Sequence, residues 1–406
     1  MTDIENLEKI IRQEFGVSKT IRSRDNTNKC IATLNRKPYN LFAHNFLARL
    51  RRLHEKFAGD SSAINSIAER VKNIGEARNS QWAGPYSELV ALDFYSQFSG
   101  QGSAPLSGQF LNLSYINLIP VKNHPASIPA MNGQKRVIDI DLCLYLKNDR
   151  VYTDVKSFNC IHQNILDEVI EAVEEYSLVT LRKSIMVGVD NLSSLDYTEV
   201  KAHLGHEKKK IYSALARAVS ENRRVLRYES QSGIVFTFRI EYSDTISTVK
   251  EYSPFAMAEA YKYKFLDYGS KLLDNEYSII TMVRNPWFNE ETVDFGNFNS
   301  MFYRSLARRT FIELNRIESP ASTFSSGYRT DKISVKDVAQ NLAGIVFIDD
   351  ESPRFKKMDK LYSVYIYLNP NYRNKKPLTI RRLETYFRNE MEIQIKDFDD
   401  FRWDNY

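Results

Sequence analysis

The chain has 406 residues, 43% of them hydrophobic and 26% charged, with 56 Lys and Arg against 51 Asp and Glu for a net charge of +5. This is the composition of a globular protein with a sizeable core, which excludes a disordered or fibrous chain. Three dispersed cysteines (Cys30, Cys143 and Cys160) exclude a disulfide framework and a paired-thiolate zinc site, and no run approaches the length of a membrane span.

The first eighty residues carry helical periodicity. Ile4, Leu7, Ile10 and Ile11 keep it first, then Phe42, Phe46, Leu47 and Leu50. GPYSELVALDFYSQF (84–98) predicts a further helix, started by Gly84 and Pro85. Residues 99–134 are rich in Gly, Ser, Pro and Asn and predict mainly loop. Strands are expected at about 136–146 and 150–157, then a helix over 162–183, the short apolar strand SIMVGV (184–189) and a basic helix over 198–220. Beyond these, the strand candidates GIVFTFRI, YSIITMV, AGIVFID and YSVYIYL are interspersed with helices at 254–273, 299–317 and 380–392. No repeat of fixed period is visible. The reading divides the chain into a helical region (1–80), a core (81–190) and a C-terminal α/β region (191–406), which would serve target recognition or partner binding.

DIDLCLYLKNDRVYTDVKSF (139–158) puts acids and a lysine on two apolar runs. A hairpin turning at Asn148 and Asp149 would set Cys143 opposite Asp154 and Asp141 opposite Lys156. Side chains alternate faces, so Asp139, Asp141, Asp154 and Lys156 share one face, while Ile140, Leu142, Leu144 and Val155 share the other. Facing residues lie about 5 Å apart. Carboxylates gathered this closely repel, and one lysine does not balance them. A divalent cation does, and it would also bind a phosphate and polarise a water.

An Asp followed on the next strand by Asp-x-Lys resembles the PD-(D/E)XK nuclease superfamily. Here the motif is Asp141, then Asp154-Val155-Lys156. The resemblance covers about residues 80–190 and implies a restriction-endonuclease-like αβββαβ core. Glu88, on the helix before the hairpin, matches the family's helix glutamate, and its apolar neighbours suggest that it is buried. Residues 162–189 would supply the closing helix and strand. The chain departs from the commonest pattern: no proline precedes the aspartate, the triplet begins with Asp, and Asp139 competes with Asp141 for the metal position. Spacing favours Asp141. The resemblance implies Mg²⁺, with Mn²⁺ as a substitute, held by Asp141 and Asp154 with Glu88, and Asp139 as a further ligand candidate. Lys156 would orient the attacking water or stabilise charge.

His203 and His206 share one side of a helix but lack a third ligand, and they read as surface histidines. Basic segments at 49–56, 206–227, 304–309 and 373–382 are candidates for contact with a phosphate backbone. The expected function is therefore a cytoplasmic, metal-dependent endonuclease of a restriction or phage-defence type, acting on double-stranded DNA without membrane association. A homodimer would suit cutting of both strands. The alternatives are a non-cleaving nucleic-acid-binding protein on the same fold and an RNA-directed nuclease.

Overall fold

The computed structural model describes residues 9, 11–13, 15–16, 28–34, 41–77, 79–97, 113–117, 128–129, 135–136, 140–146, 149–158, 169–170, 172–190, 197–231, 233–241, 248–250, 264–273, 278–286, 298–316, 323–325, 332–353, 361–369, 372 and 392–396. The chain is mixed α/β and divides into two compact units. The first is Met1–Phe158, Tyr263–Trp287 and Ala307–Tyr406; the second is Asn159–Lys262 and Phe288–Leu306. The boundary expected near residue 190 thus falls inside the second unit.

Among the described residues, the first unit is built on a seven-stranded mixed sheet. Its strands are β1 (Leu113–Asn117), β2 (Leu142–Leu146), β3 (Asp149–Phe158), β8 (Ser278–Arg284), β9 (Leu342–Asp350), β10 (Tyr362–Leu368) and β11 (Glu392–Lys396), adjacent in that order. β1, β2 and β3 form an antiparallel meander, and β8 lies parallel to β3. Helices α1 (Lys29–Leu34), α2 (Leu41–Lys56), α3 (Ser61–Glu76) and α4 (Ala83–Ser96) precede the sheet in sequence. Asp60 caps α3, its side chain accepting the Ala63 N–H at 3.0 Å.

Helix α4 is apolar almost all round, which suits burial rather than a half-wet surface. Leu89, Val90, Ala91, Leu92, Phe94 and Tyr95 are fully buried. They join one hydrophobic cluster with Leu142, Leu144, Val151 and Val155 of the hairpin and Ile279 and Val283 of β8. Full burial contributes about 1.5–3 kcal/mol for each large apolar side chain. Three hydroxyls thread this cluster: Tyr95 bonds Thr281 at 2.8 Å, and Thr281 bonds Thr153 at 2.7 Å. They tie α4 to β8 and β3.

The hairpin register differs from the expectation by two residues. Leu146 pairs with Asp149, Cys143 with Tyr152 and Leu142 with Thr153. The connection is therefore residues 147–148, one position earlier than Asn148 and Asp149. A slip of two preserves the faces, so Asp154 and Lys156 still share a side while Leu142, Leu144 and Val155 pack inward.

The strand parallel to β3 is not the one expected. Ser184–Asp190 pairs with Val235–Glu241 in another sheet, and Ser278–Arg284 takes the place beside β3. The burial patterns give the reason. SIITMVR is buried along almost its whole length, as an internal parallel strand requires. In SIMVGVD, Ile185, Val187 and Val189 are buried while Met186 and Gly188 are half-exposed, the mark of a strand covered on one face. Helix α6 (Lys264–Lys271) leads into β8. Gly269 lets it approach helix α8 (Val335–Asn341), which follows helix α7 (Phe298–Arg316) in sequence: a Cβ at Gly269 would lie 2.6 Å from Val338 Cγ1.

In the second unit, β4 (Ser184–Asp190), β5 (Val225–Glu229), β6 (Val235–Glu241) and β7 (Thr248–Lys250) form a sheet in the order β5-β6-β4-β7. Ile211 and Leu215 of helix α5 (Tyr197–Ser220) pack with Val187, Phe236 and Phe238 in its core. Tyr176 stacks on Tyr212 at 4.2 Å.

Candidate active site

Strand β3 supplies the centre of the site. Asp154 and Lys156 alternate with Val155, so both project from the face opposite the α4 core. The parallel register places Asp154 beside Ile280 and Lys156 beside Met282. Asp154 is fully buried, and each of its oxygens meets an ammonium group. Lys156 Nζ lies 2.6 Å from Oδ2, and Lys271, the last residue of α6, is paired with Oδ1. The Lys156 ammonium also sits over the Tyr268 ring, 5.3 Å from its centre. Tyr268 and Lys271 are one helical turn apart, so a single side of α6 serves both contacts.

Asp141 lies immediately before β2. Its Oδ2 accepts the main-chain N–H of Val155 at 2.7 Å, which fixes it beside the Asp-Val-Lys triplet. The residue keeps some exposed surface, but its carboxyl is closely surrounded by protein atoms. Burial pushes that carboxyl well above the usual range, and the charges of Asp154 and then Glu88 push it further. Burial alone would raise Asp154 too. The ammonium groups of Lys156 and then Lys271, with the hydrogen bond from Asp141, overcome this and hold Asp154 below the usual range. The two carboxyls are thus driven apart, Asp141 toward its neutral form and Asp154 toward its ionised one.

Glu88 is within electrostatic reach of Asp141 but is not buried as expected. It is half-exposed and bridges Arg70 of α3, with Arg70 Nε and Glu88 Oε2 2.5 Å apart. The apolar residues around it on the helical wheel pack elsewhere, and Arg70 supplies the partner that the carboxylate needs. Asp139 lies outside the described residues. Among the described residues, no group of three or more Asp, Glu, His or Cys side chains is gathered closely enough to enclose a metal ion. The donor chemistry nevertheless fits a hard divalent cation. Asp141 is held beside the Asp-Val-Lys triplet by the Val155 N–H, and a cation there would relieve the repulsion it receives from Asp154 and Glu88.

Lys271 was not legible as a site residue. A lysine in the last turn of a helix is ordinary, because it meets the negative end of the helix dipole. Its pairing with Asp154 spans 117 residues of sequence.

The basic segments divide differently from the expectation. Arg49 is fully buried, bonded to Asp350, Tyr362 and Tyr86, and Arg52 makes two bonds to buried Asp93. Segment 49–56 is therefore largely tied into the core rather than presented as a phosphate-binding face. In segment 304–309, Arg304 is exposed and Arg308 is buried. Segment 206–227 keeps Lys209, Lys210, Arg217, Arg223, Arg224 and Arg227 exposed in the second unit. Residues 373–382 lie outside the described residues, as does the His203 side chain, while His206 is exposed.

No helix among the described residues is long and apolar enough to cross a membrane. Comparison with protein-family models, with curated proteins and with solved structures returns no match.

Proposed function

We propose that this chain is a metal-dependent nuclease with a restriction-endonuclease-like core, hydrolysing phosphodiester bonds in double-stranded DNA. The observation that carries the reading is the contact set Asp141–Asp154–Lys156 on the hairpin. Its setting supports the same reading: a buried helix, an antiparallel meander of three strands, a helix and then a strand parallel to the third. A restriction or phage-defence role follows by analogy with that fold class. The exposed basic segment 206–227 is suited to phosphate contact.

Asp141 and Asp154 would hold Mg²⁺, or Mn²⁺ in its place, joined by Glu88 once it leaves Arg70. The cation would supply charge neutralisation at the phosphate and polarisation of the attacking water. The remaining work falls to the chain. Val155 N–H keeps Asp141 in place, and Asp154 remains ionised. The Lys156 ammonium, steadied over Tyr268, can donate to the attacking water or to a phosphate oxygen.

The test is cleavage of plasmid DNA with Mg²⁺ or Mn²⁺ by wild type, Asp154→Ala and Lys156→Ala. The expected result is nicking or linearisation by wild type, lost with a chelator and reduced at least a hundredfold in both variants. Equal activity in all three would remove the site assignment. A second reading, a nucleic-acid-binding protein that does not cleave, is favoured by the occupation of both Asp154 oxygens by lysines. Retained binding with no cleavage of duplex DNA, single-stranded DNA or RNA would select it, and cleavage confined to RNA would change the substrate.

A further inference from the structure

We infer that Lys271 is a positioning residue that competes with the divalent cation for Asp154, and so sets how tightly the site takes metal. The inference rests on the nuclease reading above and concerns a residue outside the Asp-Asp-Lys motif.

Both oxygens of the Asp154 carboxylate are engaged, each by a different lysine. The two lysines are not equivalent. Lys156 comes from the same strand, keeps part of its side chain in solvent and rests on an aromatic face. Lys271 comes from α6, is nearly buried, and points its ammonium at Oδ1. Its charge therefore sits on a carboxylate that would ligate a cation.

A lysine ammonium and a divalent cation on one carboxylate oxygen repel each other. A cation that takes Oδ1 of Asp154 must therefore displace Lys271. A four-carbon stem with freely rotating bonds allows that withdrawal, which a rigid guanidinium fork would resist. The negative end of helix α6 offers the displaced ammonium an alternative partner. Packing of α6 against α8 through Gly269 keeps the backbone of Lys271 in place during the exchange. The consequence is a metal affinity lower than the carboxylates alone would give.

The test measures Mn²⁺ alone on the full chain, by electron paramagnetic resonance of free Mn²⁺, with melting temperatures read in parallel. Lys271→Met is expected to lower the Mn²⁺ dissociation constant at least tenfold and to gain more thermal stability from saturating Mn²⁺ than wild type does. Lys271→Gln keeps a donor on Asp154 without the charge. It is expected to show the same tightening, and it carries the test if the methionine variant does not fold. Lys271→Arg keeps the charge and is expected to bind no more tightly than wild type. A purely structural lysine would give destabilised variants with unchanged or weaker Mn²⁺ binding. That outcome, in a wild type that binds Mn²⁺ and cleaves, overturns this inference alone. A wild type that neither binds Mn²⁺ nor cleaves nucleic acid overturns the nuclease reading and this inference together.

Discussion

Asp141 Oδ2 and the main-chain N–H of Val155 are 2.7 Å apart, so the residue after Asp154 fixes the second carboxyl of the site. The raised Asp141 carboxyl favours the folded state most below the ordinary carboxylate pKa, and the advantage is lost as pH rises through the folded value. The lowered Asp154 carboxyl works the other way: its contribution is present above the ordinary value and is lost as pH falls through the folded one. Asn imitates protonated Asp141 and can still accept from Val155. Asp141→Asn is therefore expected to melt several degrees above wild type at pH 8, with the gap closing toward pH 5 and cleavage lost. Parallel melting curves across that range would contradict the raised Asp141 carboxyl.

The buried Arg49 cluster makes a sharper stability claim. Arg49 meets Asp350 at 3.1 Å and Asp93 at 3.5 Å, and the hydroxyls of Tyr86 and Tyr362 donate to Asp350 and Asp93. Removing one partner strands buried charge, which costs about 3–5 kcal/mol. Arg49→Leu should therefore lower the free energy of unfolding by about that amount, measured by urea denaturation. A loss below about 1 kcal/mol would mean that the cluster relaxes into solvent.

Close approach of α6 and α8 can be tested by repair. Gly269→Ala adds a methyl 2.6 Å from Val338 Cγ1, and overpacking of this kind costs about 1–3 kcal/mol. The double variant with Val338→Ala opens the space again and is expected to recover part of that loss. Two independent, additive losses would show that the helices do not meet there.

The hydroxyl chain between α4 and β3 gives a fourth expectation. Thr281→Val keeps shape but removes the group bonded by both Tyr95 and Thr153. Two buried hydroxyls then lose a partner, at about 1–3 kcal/mol for each group left unsatisfied. Chemical denaturation should detect this. Adding Tyr95→Phe and Thr153→Val should restore much of the stability, because an apolar cluster without orphans replaces the network.

Elements whose own burial dictates their pattern were legible. YSVYIYL forms Tyr362–Leu368, and the helix predicted at 84–98 forms Ala83–Ser96. Short strands were not: LSYIN lies in a Gly- and Ser-rich stretch, and five residues carry too little alternation to outweigh their surroundings. The hairpin faces were legible while the register was not, because period-two alternation is unchanged by a slip of two. Arg49 was readable in principle. It lies on the stripe of Phe42, Asn45, Phe46, Leu50 and Leu53, all of them buried, so the helical wheel puts it in the core despite its charge. The Asp154 partner from α6 was not, since nothing local in KFLDYGSK names a carboxylate so distant in sequence.

That distance has a kinetic meaning. The chain leaves the first unit just after Lys156, builds most of the second unit, and returns just before α6. Parallel pairing of β3 with β8 must therefore close a long loop before any of its hydrogen bonds form. Each doubling of such a loop adds only about 0.6 kcal/mol of closure entropy, so the equilibrium tolerates it. The rate does not benefit in the same way, because non-local parallel pairing is slow to nucleate. The two lysines come together on Asp154 only when that closure is made, so the site is assembled with a contact distant in sequence rather than with the local hairpin that carries its motif.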